Sequence, residues 1–323
     1  MQKPKVIVTR RWPKPVEDRL TEHFDTTLNL TDAPMTTAQL QHALQHCDAL
    51  LPTVSDAINA DVLSVRPMQA KALGSYGVGF NHIDLSAARA AGLTVTNTPE
   101  VLTDCTADLA MALLLGIARR IGEGERHCRA QAWTGWRPTH MLGTQVTGKT
   151  LGLIGMGRIA RAVAARAVHG FGMKVLFHDP MPPTPDAIAG LNATACDSPE
   201  AVYAQADFIS LHCPGGAATR HLISTDAFRA MQPHAYLINT ARGDVIDEAA
   251  LVHALKTGEI RGAGLDVFEH EPAISAELRV MEQVLILPHL GSATMETRIA
   301  MGNRVINNMI AFFNGDAPPD RVA

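Results

Sequence analysis

The 323-residue chain is predicted to be an α/β protein made of two doubly wound parallel-sheet domains. Three observations lead there. Short apolar runs alternate with helix-compatible stretches over the N-terminal part, the pattern of a parallel sheet covered on both faces. After one long helical stretch the same alternation resumes at 150. That second half opens on LGLIGMGRIA (151–160), where an apolar strand turns through glycines into a helix. At 46% hydrophobic residues, a chain of this length can bury a large core and is expected to divide in two.

The elements follow in order. KVIVT (5–9) reads as a strand and PVEDRLTEHF (15–24) as a helix; TTAQLQHALQHC (36–47) is a helix and DALLP (48–52) a strand. KALGSYG (71–77) ends a third strand in glycines, the short helix LSAARAAG (85–92) follows, and LTVTN (93–97) is the next strand. The pattern changes over 98–131, where one long helix is predicted over 104–129: Asp104 can cap it, and apolar residues at 109, 113, 114, 117 and 121 recur at helical spacing. Beyond 150, TLGLIG, KVLFHD, DFISLHC (207–213), AYLINT (235–240), GAGLDV (262–267) and VLILP (284–288) are strands. RIARAVAARAVHGF and DEAALVHALKTG (247–258) are helices among them, and TMETRIAMGNRVINNMIAFFNG (294–315) closes as another.

Bulk properties exclude several function classes. The 28 basic and 32 acidic residues leave a formal net charge of −4 with both signs scattered, unlike a nucleic-acid surface with clustered Lys and Arg. MQKPKVIVTRR lacks the apolar core of a signal peptide. LAMALLLGIA (109–118) reaches about half the roughly 20 residues needed to span a bilayer, and Arg119 and Arg120 close it. Five cysteines, far apart and without a CxxC, suggest reduced thiols; neither a disulfide framework nor a metal site is expected. The expectation is a soluble cytoplasmic protein.

Gly155-Met156-Gly157-Arg158-Ile159-Ala160 is a GxGxxA form of the dinucleotide fingerprint, with a strand before it and a helix after it. The first glycine permits a tight turn, the second lets a pyrophosphate approach the backbone, and the small third residue lets helix and strand pack closely. Arg158 can add a charge-assisted contact to the pyrophosphate, or simply be a solvated helix start. The second strand of this half ends in Asp179, with no Arg or Lys following it up to Asp186. An acid there accepts hydrogen bonds from a ribose diol and repels a 2′-phosphate, so NAD is expected rather than NADP. The plainer alternative is that the glycines mark only a tight strand–helix turn.

GSYGVGFNHID (74–84), LGLIGMGRIA, NTARGDVIDEAAL (239–251), GAGLDVFEHEP (262–272) and LPHLGSAT (287–294) resemble, in order and spacing, the D-isomer-specific 2-hydroxyacid dehydrogenase family. The resemblance implies a Rossmann nucleotide domain (101–289) inserted into a flavodoxin-like substrate domain (1–100 and 290–323), which places the fingerprint mid-chain.

Reduction of a ketone by hydride needs a proton donor, a cation for the substrate carboxylate and a positioned nicotinamide. His289, after an apolar strand, is the candidate acid/base, because imidazole titrates near operating pH. Arg242 offers a planar fork for the carboxylate, and Glu271 is the partner the family implies for the imidazole. The alternatives are a turn Arg paired with Asp244 and an exposed loop acid. Asp266 resembles the residue facing the nicotinamide carboxamide, or is a strand-end turn former. The resemblance assigns backbone N–H groups of Gly77, Val78 and Gly79 to the substrate carboxylate. It places Thr106 near the cofactor phosphates, Cys213 and Pro214 against adenine, and Ile159, Thr240 and Gly291 in the cofactor pocket. It also implies a homodimer through 104–143, with Trp136 or Met141 reaching the partner's pocket; alternatively Trp133 and Trp136 pack the interdomain core.

Formate dehydrogenases of the superfamily carry glutamine where Glu271 stands. The segments GWRPTHMLG, GMGRIA and LPHLGSAT look most like glyoxylate/hydroxypyruvate reductases and glycerate dehydrogenases. Many of those use NADPH and carry Arg or Ser near the end of the second nucleotide-domain strand, from which Asp179 departs. The expected activity is NAD-linked reduction of a small 2-keto acid, glyoxylate or hydroxypyruvate, to glycolate or D-glycerate. A D-lactate or D-phenyllactate type dehydrogenase, or an NAD(H)-sensing binding protein on the same scaffold, are the alternatives.

Overall fold

The computed structural model describes residues 3–323. Two compact units emerge: residues up to Leu102 together with Ser292–Ala323 form one, and Thr103–Gly291 the other.

In the first unit the chain runs β1 (Lys5–Val8), α1 (Lys14–His23), β2 (Asp25–Thr27), α2 (Thr37–His46), β3 (Ala49–Leu51), α3 (Ala60–Leu63), β4 (Ala72–Gly74), α4 (Leu85–Ala90) and β5 (Thr94–Thr96). The five strands form one parallel sheet in the order β2-β1-β3-β4-β5, the flavodoxin-like order with its reversal between β1 and β3. One face is covered by Leu40, Leu44, Val62 and Leu63 from α2 and α3. The other is covered by Val16 and Leu20 of α1 with Val305, Ile306 and Met309 from the closing helix Met295–Asn314. That helix starts at Thr294, whose hydroxyl accepts from Thr297 N–H, and ends at Gly315 in the left-handed region (φ 87°), the ordinary start and stop chemistry of a helix.

The second unit comprises α5 (Thr103–Ala118), α6 (Ile121–Arg129), β6 (Thr150–Ile154), α7 (Arg158–Phe171), β7 (Lys174–His178), β8 (Ala193–Ala195), α8 (Pro199–Tyr203), β9 (Phe208–Leu211), α9 (Thr225–Ala230), β10 (Tyr236–Asn239), α10 (Glu248–Thr257), β11 (Gly262–Leu265), α11 (Ala276–Val280) and β12 (Val284–Ile286). Its seven parallel strands lie in the order β12-β11-β10-β9-β6-β7-β8. Helices α5 and α7 pack on one face through Leu113, Leu114, Val163 and Ala164, while α8, α9 and α10 cover the other through Val202, Phe228, Leu251 and Leu255. The strand order reverses between β6 and β9, and in such sheets ligands bind beyond the carboxyl ends at that reversal. Both expected parallel sheets are therefore present.

Two expectations are corrected. The helix expected over 104–129 is not continuous. It starts at Thr103 and breaks at Arg119–Arg120, where Arg120 takes φ 56° and its guanidinium pairs with Glu123 at 2.6 Å. The break turns Ile121 out of the apolar stripe, leaving it 57% exposed. Asp104 is not the cap but a first-turn acid inside α5, paired with Arg166 of α7 at 3.1 Å. Strands β2 and β8 were not anticipated. Each has three residues at a sheet edge, too short for a period-2 signal.

Candidate active site

In the second unit, strand register brings the site residues to one edge. Ile154 pairs with His178 and with Leu211, Leu211 with Asn239, Asn239 with Leu265, and Leu265 with Ile286. The residues that leave these strand ends are therefore neighbours: Gly155, Asp179, Cys213, Thr240 and Asp266.

At the fingerprint, Gly155 has φ 87°, and a Cβ there would lie 2.8 Å from the His212 carbonyl oxygen, so both conformation and space demand glycine. A Cβ on Gly157 would meet nothing within 4 Å, an open approach to the start of α7. Gly157 has no side chain to cap that helix start, and the positive end of a helix dipole suits an anion. Ala160 is fully buried, as close helix–sheet packing requires, while Arg158 is exposed and Ile159 half-buried. Thr240 Oγ1 is buried without a hydrogen-bond partner. An orphaned hydroxyl, an open glycine cradle and an uncapped helix start at one sheet edge fit a dinucleotide.

Asp179 holds the fingerprint turn itself. One carboxylate oxygen accepts from Met156 N–H at 2.7 Å and the other from Met181 N–H at 2.8 Å. Across the reversal, Cys213 is half-buried and Pro214 exposed. Burial pushes the Cys213 thiol up to about 11, so it stays protonated and unreactive at neutral pH.

Asp266, 1% exposed, follows β11. Its carboxylate accepts from Leu290 N–H at 2.6 Å and Gly291 N–H at 2.7 Å, and its carbonyl accepts from His289 N–H at 2.9 Å. Burial raises its pKa, against the lowering pull of those amides and of His289. Thr106, in the first turn of α5, donates its hydroxyl to the Gly291 carbonyl at 2.9 Å. Asp266 and Thr106 thus clasp the 289–291 turn from both sides. The clasp holds His289 at φ 56°, a conformation an L-residue adopts at a cost.

The imidazole is thereby aimed at Glu271: His289 Nδ1 lies 2.8 Å from Glu271 Oε2, while Glu271 Oε1 accepts from Phe268 N–H at 3.0 Å. Burial acts to raise the Glu271 pKa. The His289 hydrogen bond and charge, the Phe268 amide and Arg242 outweigh it, so the carboxyl is held below its usual range. Arg242 follows β10, its Nη1 donating to the Ala241 carbonyl at 2.6 Å. Burial lowers its pKa from the ordinary guanidinium value, while Glu271 and Asp244 pull it back up. Asp244 also accepts from Gly216 N–H at 2.9 Å. Glu271, its side chain 36% exposed, is a loop acid that holds the His289 imidazole and feels the charge of Arg242.

The structure adds a residue absent from the sequence reading. A Cβ on Gly243 would stand 1.9 Å from both the carbonyl carbon and the oxygen of Phe268. The Arg242 and Glu271 loops touch there backbone to backbone. The glycine directly after Arg242 was the only available signal.

In the first unit, the 77–79 loop follows β4. Its anchoring bonds are accepted by carbonyls: Thr98 N–H donates to Gly77 at 2.9 Å and Asn97 Nδ2 to Val78 at 2.8 Å. A Cβ on Gly77 would meet Val54 Cγ1 at 2.6 Å. In the second unit, Trp133 and Trp136 are 57% and 82% exposed.

The arrangement is matched by known proteins. Residues 111–291 fit the model of the D-isomer specific 2-hydroxyacid dehydrogenase NAD binding domain. A glyoxylate reductase of Thermococcus litoralis is 42% identical over 324 residues, covering 99% of this chain and 97% of its own. Among solved structures, a 2-hydroxyacid dehydrogenase from Ketogulonicigenium vulgare is 33% identical with a TM-score of 0.85, over 100% of this chain and 99% of that one. An NADPH-dependent glyoxylate/hydroxypyruvate reductase from Sinorhizobium meliloti, in complex with NADP and malonate, is 33% identical with a TM-score of 0.88, over 100% and 97%. The chain belongs to the D-isomer specific 2-hydroxyacid dehydrogenase family.

Proposed function

We infer that the protein is an NAD-linked reductase of small 2-keto acids, with glyoxylate or hydroxypyruvate as substrate and glycolate or D-glycerate as product. The observation that carries the reading is the His289–Glu271 pair at 2.8 Å, beside Arg242 on the edge that also bears the fingerprint. The relatives named for glyoxylate support the substrate class. A bound reduced nicotinamide supplies the hydride.

The chain's own residues do the rest. Arg242 binds and orients the substrate carboxylate through its planar fork and polarises the keto oxygen. Glu271 accepts a hydrogen bond from His289 Nδ1–H, which leaves Nε2–H as the donor to the alkoxide as it forms. On this reading Gly155, Gly157, Arg158, Ile159, Thr240 and Gly291 hold the cofactor, with Thr106 and Asp266 clasping the turn at its edge. Cys213 and Pro214 line the adenine side, and the Gly77–Gly79 loop supplies N–H groups to the substrate carboxylate.

NAD is preferred because the Asp179 carboxylate would meet a 2′-phosphate with like charge. Reduced-nicotinamide absorbance tests both halves of the reading. NADH and NADPH are crossed with glyoxylate, hydroxypyruvate, pyruvate and phenylpyruvate, using the wild type and Asp179→Ala. NADH oxidation by the two small acids, with discrimination against NADPH weakened in the variant, is expected. Turnover confined to phenylpyruvate would move the substrate assignment, and an unaltered cofactor ratio would remove the role of Asp179.

No helix among the described residues is long and apolar enough to cross a membrane, and the reading places the protein in the cytoplasm. It also takes a second copy to cover Ile121, Trp133, Trp136 and Leu142, all more than half exposed within one segment. Sedimentation equilibrium should return twice the 34.6 kDa chain mass, and a monomer would refute the dimer.

A further inference from the structure

Beyond the reacting pair, the second unit holds another imidazole–carboxylate pair. His221 Nε2 lies 2.7 Å from Glu269 Oε1, and Arg220 Nη2 donates to the same oxygen at 2.9 Å. Glu269 is tied to α10 as well: its N–H donates to Glu248 Oε1 at 2.7 Å, and its Oε2 accepts from Glu248 N–H at 3.5 Å. The Glu269 side chain is only 9% exposed, so its interactions are poorly screened by solvent. His221 sits at φ 52°, left-handed like His289, and non-glycine residues are kept there only when their surroundings compel it.

The placement of these groups matters more than their number. Glu269 is two residues from Glu271 in the loop that follows β11. The intervening loop is short, and Phe268 N–H already orients one Glu271 oxygen. On the other side, His221 N–H donates to the carbonyl of Asp244 at 2.9 Å, two residues from Arg242. His221 therefore joins the Arg242 loop through its main chain and the Glu271 loop through its ring. The Gly243–Phe268 contact closes the same bracket from within.

The geometry points to Arg220, His221 and Glu269 as positioning residues, which hold the Glu271 loop so that its carboxylate stays in register with His289. The inference rests on the function proposed above for its kinetic consequence, but not for its structural one. Charged and titratable groups facing Glu269 are Arg220, His221, His270 and Glu248; those facing Glu271 are His289, Arg242 and Asp266. Losing the bracket leaves this second set in place but relaxes the distance between Glu271 and His289. An imidazole whose carboxylate partner has moved loses the contact that aims its ring, and with it the geometry of proton delivery.

The test uses the full chain with 13C-labelled histidine. The His289 Cε1–H resonance, identified by its disappearance in His289→Asn, is compared at one pH in the wild type, Glu269→Gln, Glu269→Asp and His221→Asn. Asparagine tolerates the left-handed backbone at 221, so that variant carries the test even if Glu269→Gln fails to fold. The expected result is a His289 resonance displaced from its wild-type position in Glu269→Gln and His221→Asn and largely restored in Glu269→Asp. With NADH and the keto acid, kcat should fall by between about tenfold and 10²-fold, more than KM changes, and Glu269→Asp should recover most of it. An undisplaced His289 resonance in both Glu269→Gln and His221→Asn overturns the inference, whatever the melting temperature does. A wild type that oxidises no NADH would sink the proposed function instead, and the resonance would still decide this question.

Discussion

Replacing His289 should abolish most turnover while leaving the cofactor bound. In keto-acid reduction the developing alkoxide needs a proton, and the Nε2 of His289, with Nδ1 committed to Glu271 at 2.8 Å, is the group arranged to give it. Loss of a positioned acid/base lowers kcat by about 10²–10⁴. Because His289 occupies φ 56°, an alanine there adds backbone strain to the loss of the ring. His289→Asn, which tolerates that conformation, separates the two effects. Both variants should show the same fall in steady-state NADH oxidation, and His289→Ala should also melt lower. NADH affinity, read by fluorescence titration, should be preserved, since the fingerprint, Asp179 and Thr240 are untouched. Turnover at the wild-type rate in His289→Asn would end the acid/base assignment.

Gly243→Ala should be among the most damaging single-methyl changes in the protein. Its Cβ would stand 1.9 Å from the Phe268 carbonyl carbon and oxygen, a clash with backbone that no side-chain rotation relieves. Over-packing of this kind costs about 3 kcal/mol, which for a unit of this size lowers the melting temperature by roughly 6–12 °C. The two loops forced apart carry Arg242 and Glu271, so kcat should fall in the protein that remains folded, measured well below its transition. Gly157→Ala is the matching control for stability, because its Cβ would meet nothing within 4 Å. Equal melting temperatures for Gly243→Ala and Gly157→Ala would show that the loops separate without cost.

Much of this molecule was legible in the chain because the signals are local. A strand followed by GxGxxA and a helix reports a phosphate-binding turn within about a dozen residues, and α7 runs from Arg158 to Phe171 as its pattern requires. Arg242, Asp266 and Asp179 were found because each follows a recognisable apolar strand, and strand ends in a parallel sheet share one edge. Where the local signal was weak, the reading failed. The three-residue edge strands β2 and β8 carry no period, and the apolar stripe through 104–129 could not show that Arg120 would pair with Glu123 and break the helix.

The sequence by itself determined the two parallel sheets, the dinucleotide turn and the residue types at the reacting centre, since periodicity, glycine placement and functional groups are properties of short segments. Only the tertiary structure decided what holds that centre together. The clasp of Asp266 and Thr106 on the 289–291 turn, the contact of Gly243 with Phe268, and the bracket of His221 and Glu269 join segments far apart in the chain. No spacing rule encodes those distances; they exist once β10, β11 and β12 lie side by side and their loops must share one edge.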